Sequence, residues 1–311
     1  MLADANTEIP FIDAVIYAVQ RLKRIGYLPH AKGYLKQVGL TLEERQDLPS
    51  LTDREIAALV ERAESRDHWQ RDVTSHLHSG NVGLAAVVGE DARSSLGIQG
   101  PEPMSLLERY ATLNSSDVCL YIGIDPGTPD SLAIARDAIN HPRAAGLAVL
   151  PMLAGYPLSA SPYSATLRFA QQHELPIWVH SSSNFFPSVP FDVGHPRHID
   201  AVLRSFPGLR IIIGHAGWPW VQEACLIALR HPTVALEFST FPPRIINEVN
   251  SGFAPLLQNL RTLRGRIFFG SGAVWNALHY KRLLGQLNEL PLMEELPSWQ
   301  GDGLAGFLQR A

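Results

Sequence analysis

A chain of 311 residues, 46% hydrophobic and 18% charged, has enough apolar material for one large buried core. Its 26 basic and 30 acidic side chains leave a net charge of -4 with no dense basic run, which argues against nucleic acid as a partner. No apolar run is long enough to span a membrane, and the N-terminus carries acids where a signal peptide carries lysine or arginine, so a cytoplasmic protein is expected.

The first strand candidate is Phe11 to Val19. The stretch from 21 to 80 is longer than a simple connection requires and reads as a helical insertion, or lid, that includes the first helix. Within it Thr41 with Glu44 and Thr52 with Glu55 have capping-box spacing, and the second pair opens a long amphipathic stretch towards Leu77. Strands then follow at Val82–Val88 and Val118–Ile122, a capped helix at Thr128–Ile139, a strand at Gly146–Leu150 and a helix from Tyr163 to His173. Cys119 falls in one of these strands and Cys225 in a later helix; without CxxC spacing both read as reduced core residues.

Two apolar runs, Leu175 to His180 and Leu209 to His215, each end in histidine and stop in Gly, Ser or Pro. They lack apolar/polar alternation, as expected for parallel strands covered on both faces. Between them His198 to Phe206 has helical spacing and is closed by Pro207, making a strand, helix, strand unit. Both strands then open on the same face of the sheet, which puts His180 and His215 side by side at one mouth. A helix from Trp220 to Leu229, a strand at Thr233–Ser239, a helix from Phe253 to Leu263, a strand at Arg266–Gly270 and a helix from Asn276 to Leu287 complete the pattern. Eight strands alternating with helices predict an α/β protein: a single-domain (β/α)8 TIM barrel over 1–311 with the insertion after its first strand. No glycine-rich phosphate fingerprint follows any strand, so a dinucleotide-binding fold lacks its carrier.

Several motifs are similar to the amidohydrolase-related branch of the amidohydrolase superfamily, the group that includes aminocarboxymuconate-semialdehyde decarboxylase and related metal-dependent decarboxylases and hydrolases. They are Leu175-Pro176 through His180, Ile199-Asp200 through Phe206-Pro207, Ile213 to Gly217 with Trp220 and Glu223-Ala224, Phe269 to Ser271, and Ile124 to Pro126 with Pro129. The resemblance implies a TIM barrel with its site above the strand ends, His215 at the acid/base position, Glu237 at an acidic position near the end of strand seven, and commonly a dimer. The stretch from Leu296 to Leu308 resembles the family's closing helix, with Gly303 in place of the usual asparagine. The family's metal site is largely replaced. Val15 and Tyr17 stand where the first strand carries a histidine, any residue, histidine pair, and Gly272 follows Ser271 where an aspartate is usual. Of the usual ligands only His180 remains, too few for a catalytic zinc, which needs about three. The expectation is no cofactor, the alternative being a residual divalent ion held by Asp13, Glu237 or the inserted loop.

The mouth retains groups that can move protons. Two imidazoles can divide acid and base roles, and Glu237 can orient one of them. Ser181, Ser239 and Ser271 are candidate donors to a substrate carboxylate or oxyanion, and Tyr17, Trp218, Arg197 and Arg244 are further candidate substrate contacts. Each has a plainer reading: Trp218 and Trp220 as loop packing, the arginines as solvated loop charges, Ser271 as a strand terminator. His76-Leu-His78 mimics the lost metal pair but reads as helical surface, and alternate residues on a helix do not share a face. Two functions follow: an enzyme performing C–N hydrolysis or decarboxylation on a small carboxylate-, amide- or imine-bearing metabolite by histidine chemistry without a metal, or a non-catalytic subunit that stabilises an active partner. The expected partners are the small-molecule substrate and either a second copy or an intact amidohydrolase homologue; no nucleic acid or membrane is expected.

Overall fold

The computed structural model describes residues 11–18, 52, 54–55, 82–96, 98–99, 102–112, 117–184, 189–239, 252–270, 272 and 303–308. The strands are β1 (Phe11–Ala18), β2 (Val82–Gly89), β3 (Asp91–Ala92), β4 (Ile98–Gln99), β5 (Asp117–Ile124), β6 (Ala144–Val149), β7 (Ile177–Val179), β8 (Ile211–Ile213), β9 (Val234–Glu237) and β10 (Ile267–Phe268). Helices α1 (Arg93–Leu96), α2 (Pro103–Thr112), α3 (Ser131–Ala138), α4 (Pro151–Ala154), α5 (Ser164–Gln172), α6 (Arg197–Ser205), α7 (Val221–Arg230), α8 (Ala254–Asn259) and α9 (Gly303–Leu308), with 3-10 turns at Ser161–Tyr163 and Gly214–Gly217, complete the described elements.

Eight strands form one parallel sheet in the order β1-β2-β5-β6-β7-β8-β9-β10, curled so that β1 also approaches β10. This is the expected α/β barrel. Strand residues alternate between two apolar layers, because successive side chains point to opposite faces. Ala86, Val88, Tyr121, Ala148, Trp178, Ile212, Ala235 and Phe268 fill the barrel interior. Val87, Leu120, Ile122, Leu147, Ile177, Val179, Ile211, Ile213 and Leu236 face the surrounding helices. Both faces are buried, which explains why these strands read as continuous apolar runs.

Helix α9 closes the interior at the end remote from the histidines. Leu304 is buried in the interior cluster, Phe307 meets Phe268 with ring centroids 5.8 Å apart, and Arg210, just before β8, donates to the Phe307 carbonyl at 2.6 Å. The opposite end, where the strands finish, is left to the connecting loops.

Local differences from the sequence reading have identifiable causes. Helix α3 begins at Ser131, and the Thr128 hydroxyl donates to Asp125 Oδ2 at 2.9 Å instead of capping the helix. Buried Asp125, at the end of β5, also accepts hydrogen bonds from the Ser94 backbone and hydroxyl and from the Gly127 N–H, so it outcompetes the helix terminus for that hydroxyl. Helix α8 stops at Asn259 and continues as turns to Leu263. A small antiparallel hairpin, β3 with β4, was not legible in the sequence. Thr52 and Glu55 meet as the spacing predicts, through half of a capping box: the Thr52 N–H donates to Glu55 Oε2 at 2.8 Å, and the Thr52 hydroxyl donates to the same oxygen at 2.6 Å. The rest of the 21–80 insertion apart from Arg54, with Thr41, Glu44, His76 and His78, and the predicted 276–287 helix lie outside the described residues. Among the described residues no helix is long and apolar enough to cross a membrane.

Candidate active site at the histidine mouth

His180 follows β7 and His215 follows β8, two strands paired in register from Ile177 with Ile211 to Val179 with Ile213. That pairing brings the imidazoles edge to face, with centroids 4.5 Å apart and planes at 71°. Both are buried, His180 at 7% exposure and His215 at 3%. Trp178 lies beneath them: two residues before His180, its indole shares the inward face and meets His180 and His215 edge-on at 6.0 and 5.7 Å.

Behind His215 stands a fully buried carboxylate. Glu237, the last residue of β9, accepts hydrogen bonds from the His215 backbone N–H at 3.2 Å, the Trp178 indole at 3.4 Å and the Ser239 backbone N–H. Burial pushes its carboxyl up to about 7, with hydrogen bonds from Ser239, the His215 backbone and Trp178 acting the other way. The His215 ring is tied to the same group through Ser239, whose hydroxyl lies 2.8 Å from Nδ1 and whose side chain also bonds to Glu237. Burial first, and repulsion from His180 second, hold the His215 imidazole well below its ordinary pKa, so it is neutral at physiological pH.

His215 occupies the left-handed region at φ 54° and ψ 24°, followed by Ala216 at φ 48° and Gly217 at φ 72°. Two of these three carry a Cβ, a conformation that L-residues adopt at a cost. The turn is held by the Glu237 bond to His215 N–H and by the Trp218 and Trp220 N–H groups, which donate to the His215 and Gly217 carbonyls at 3.0 and 2.7 Å. Gly214 must be glycine for a separate reason. A Cβ there would lie 2.6 Å from Trp178 Cζ2 and 2.7 Å from the Val179 carbonyl. Gly214→Ala is therefore expected to push the indole away from Glu237 and to destabilise the fold by about 2 kcal/mol, read as a lower denaturation midpoint with a changed tryptophan emission.

The other predicted contacts fall into two groups. Ser239 joins the histidine network, whereas the Ser181 hydroxyl donates to the Gly194 carbonyl at 2.7 Å and ties its loop shut. Arg197 pairs with Asp192 and is more than half exposed, so its charge is already met on the surface. Trp218 is 40% exposed, and its carbonyl accepts the Ser183 N–H at 3.1 Å. The Tyr17 backbone pairs with Val88, but its side chain, Ser271 and Arg244 lie outside the described residues. Trp178 was missed by the sequence reading, although its position two residues before His180 on a strand is the signal that places it inward.

The amidohydrolase family model matches residues 115–297, more than half of the chain and the part that builds this mouth. The chain belongs to the amidohydrolase family. No curated protein matches this amidohydrolase in sequence. Among solved structures it is similar to an uncharacterised TIM-barrel protein from Bordetella bronchiseptica, with a TM-score of 0.65 and 16% identity over 97% of this chain and 100% of that one. It is also similar to 2,6-dihydroxybenzoate decarboxylase from Rhizobium, with a TM-score of 0.54 and 11% identity over 96% of this chain and 98% of that one. A third is 5-carboxyvanillate decarboxylase from Novosphingobium aromaticivorans, complexed with manganese and a nitrobenzoic acid, with a TM-score of 0.56 and 11% identity over 97% of each chain.

The described residues of this amidohydrolase do not fit such an ion. Among them no three His, Cys, Asp or Glu side chains converge as ligands. Glu237, the carboxylate bonded at the histidine pair, already has its oxygens engaged by three N–H donors, which leaves it poorly placed to ligate a cation.

Proposed function

We propose that this amidohydrolase is an enzyme acting on small carboxylate-, amide- or imine-bearing metabolites, performing C–N hydrolysis or decarboxylation by histidine acid/base chemistry without the family metal site. The supporting observation is the buried imidazole pair 4.5 Å apart, with one ring bonded through Ser239 to a buried carboxylate. With Nδ1 engaged by Ser239, His215 takes up a proton at Nε2; its depressed pKa keeps it neutral and available as base. Glu237 fixes the tautomer through Ser239 and offsets the charge that forms on the ring. In hydrolysis His215 takes a proton from the attacking water while His180 delivers one to the leaving nitrogen. In decarboxylation a histidine supplies the proton to the carbon from which carbon dioxide departs as the C–C bond breaks. The names of the decarboxylase neighbours make aromatic acids the first substrates to test.

The test is turnover by protein purified in chelator, followed as carbon dioxide release from a panel of hydroxybenzoates and as ammonia release from a panel of small amides and imines. Turnover unaffected by chelator is the expected result. Activity that appears only with about one equivalent of added manganese or zinc would overturn the metal-free mechanism. No turnover on either panel, with co-purification of an intact amidohydrolase, would favour the non-catalytic partner role to which the replaced ligand positions Val15, Tyr17 and Gly272 point.

A further inference from the structure

The Nδ1 atom of His215 is taken up by Ser239, and the loop that follows β7 does the same for His180. Ser182, two residues beyond His180 and 9% exposed, places its hydroxyl oxygen 3.5 Å from His180 Nδ1 and 3.0 Å from the Ser183 carbonyl. A hydroxyl has one proton to give, and the shorter contact is to a carbonyl, which only accepts. The Ser182 proton therefore goes to Ser183, and its oxygen turns a lone pair to the imidazole, so the nitrogen it meets must carry hydrogen. The loop is fixed in this arrangement. The Ser181 hydroxyl donates to the Gly194 carbonyl at 2.7 Å, the Ser183 N–H to the Trp218 carbonyl at 3.1 Å and the Asn184 side-chain amide to the Pro190 carbonyl at 2.8 Å. Gly194 packs against it so closely that a Cβ there would collide with the Ser182 carbonyl and lie 3.0 Å from the Ser182 nitrogen.

We propose that Ser182 is a positioning residue for His180: it holds the Nδ1–H tautomer, as Ser239 holds that of His215, so that Nε2 is the nitrogen through which each ring exchanges protons. The same hydroxyl logic applies on both sides, because the Ser239 side chain bonds to Glu237 while its oxygen lies 2.8 Å from His215 Nδ1. Two neutral rings in one tautomer offer two acceptors. An acid appears only when one ring takes a second proton at Nε2, so acid and base roles are divided by protonation and not by tautomer. That consequence for turnover rests on the proposed function, whereas the tautomer itself does not.

The experiment is long-range proton–nitrogen NMR of the full chain with nitrogen-15 in its histidines, recorded from about pH 5 to 9, which reports which ring nitrogen carries hydrogen. Loss of signals in His180→Asn identifies His180 among the 12 histidines. In the parent the neutral His180 ring should show a protonated Nδ1 and a bare Nε2. Ser182→Ala should move the tautomer ratio towards Nε2–H by about 5- to 10-fold, the preference that one neutral hydrogen bond sustains. Ser182→Thr, which keeps the hydroxyl, should restore the parent ratio, and Ser181→Ala, whose hydroxyl is turned to Gly194, should leave it unchanged. A parent ring protonated at Nε2, a ratio unmoved by Ser182→Ala, or a ring carrying both protons over the whole range would each overturn the assignment. Should Ser182→Ala fail to fold, Ser182→Cys replaces it with the same expected shift, since a thiol accepts weakly. The spectra need no substrate, so a protein that shows the Nδ1–H tautomer without turning over either substrate panel would refute the enzymatic function and leave the role of Ser182 standing.

Discussion

His215→Asn is expected to remain folded while losing about 10²- to 10⁴-fold in kcat, the usual contribution of a positioned acid/base group. Asparagine is the informative replacement because it tolerates the left-handed backbone at φ 54° and can still bond to Ser239, leaving only proton transfer removed. His180→Asn should lose activity by a similar factor if the pair shares the work. The two losses should not multiply in the double variant, because each histidine needs the other's proton. Rate and circular dichroism measured together check this, and full activity in either single variant would refute the pair. The pH dependence has a definite sign. His215 stays neutral well below the ordinary histidine range, so the acidic limb of kcat should fall beneath about pH 6.5. In stability the same depression acts only on acidification: below the unfolded pKa the unfolded chain takes up a proton that the folded one refuses, so this contribution is lost as pH falls.

Glu237→Ala should be the most destabilising change at the mouth. It strands three buried donors, the Trp178 indole and the His215 and Ser239 N–H groups, each worth about 1–3 kcal/mol when orphaned. Against this, removal relieves the expense of ionising a buried carboxyl. A rise from 4.5 to about 7 corresponds to about 3 kcal/mol once the group is fully charged. That relief is absent below about pH 4.5, grows between there and about 7, and is complete above, because a raised carboxyl contributes its stability below the unfolded value and loses it as pH rises through about 7. The stranded donors outweigh it at every pH, so the variant is expected to be less stable by a few kcal/mol near pH 8 and by more near pH 5. Denaturant titrations at the two pH values check the ordering; a deficit that shrinks on acidification would mean that the carboxyl is not raised in the fold.

The architecture was legible because burial on both faces leaves a strong mark in sequence. Ile211 to Ile213 and Ile177 to Val179 carry no polar alternation, and each is followed by the residues that stop a strand, so both strands and the adjacency of His180 with His215 could be read directly. Hydrogen bonds between distant side chains leave no such mark. Thr128 reads as a helix cap until Asp125, held by Ser94 from helix α1, competes for its hydroxyl. Arg197 and Ser181 read as ligand contacts until Asp192 and the Gly194 carbonyl, brought close by loop geometry, take them up.

The order of strands, the parallel sheet and the pairing of two histidines at one mouth were therefore determined by the sequence itself, through hydrophobic periodicity and the period-two alternation of strand side chains. The partnership of Ser239 with His215 across 24 residues and the burial of Glu237 beneath Trp178 were decided only by tertiary structure. Periodicity is a property of neighbouring residues, whereas desolvation and hydrogen-bond geometry depend on which residues curling of the sheet brings into the same interior.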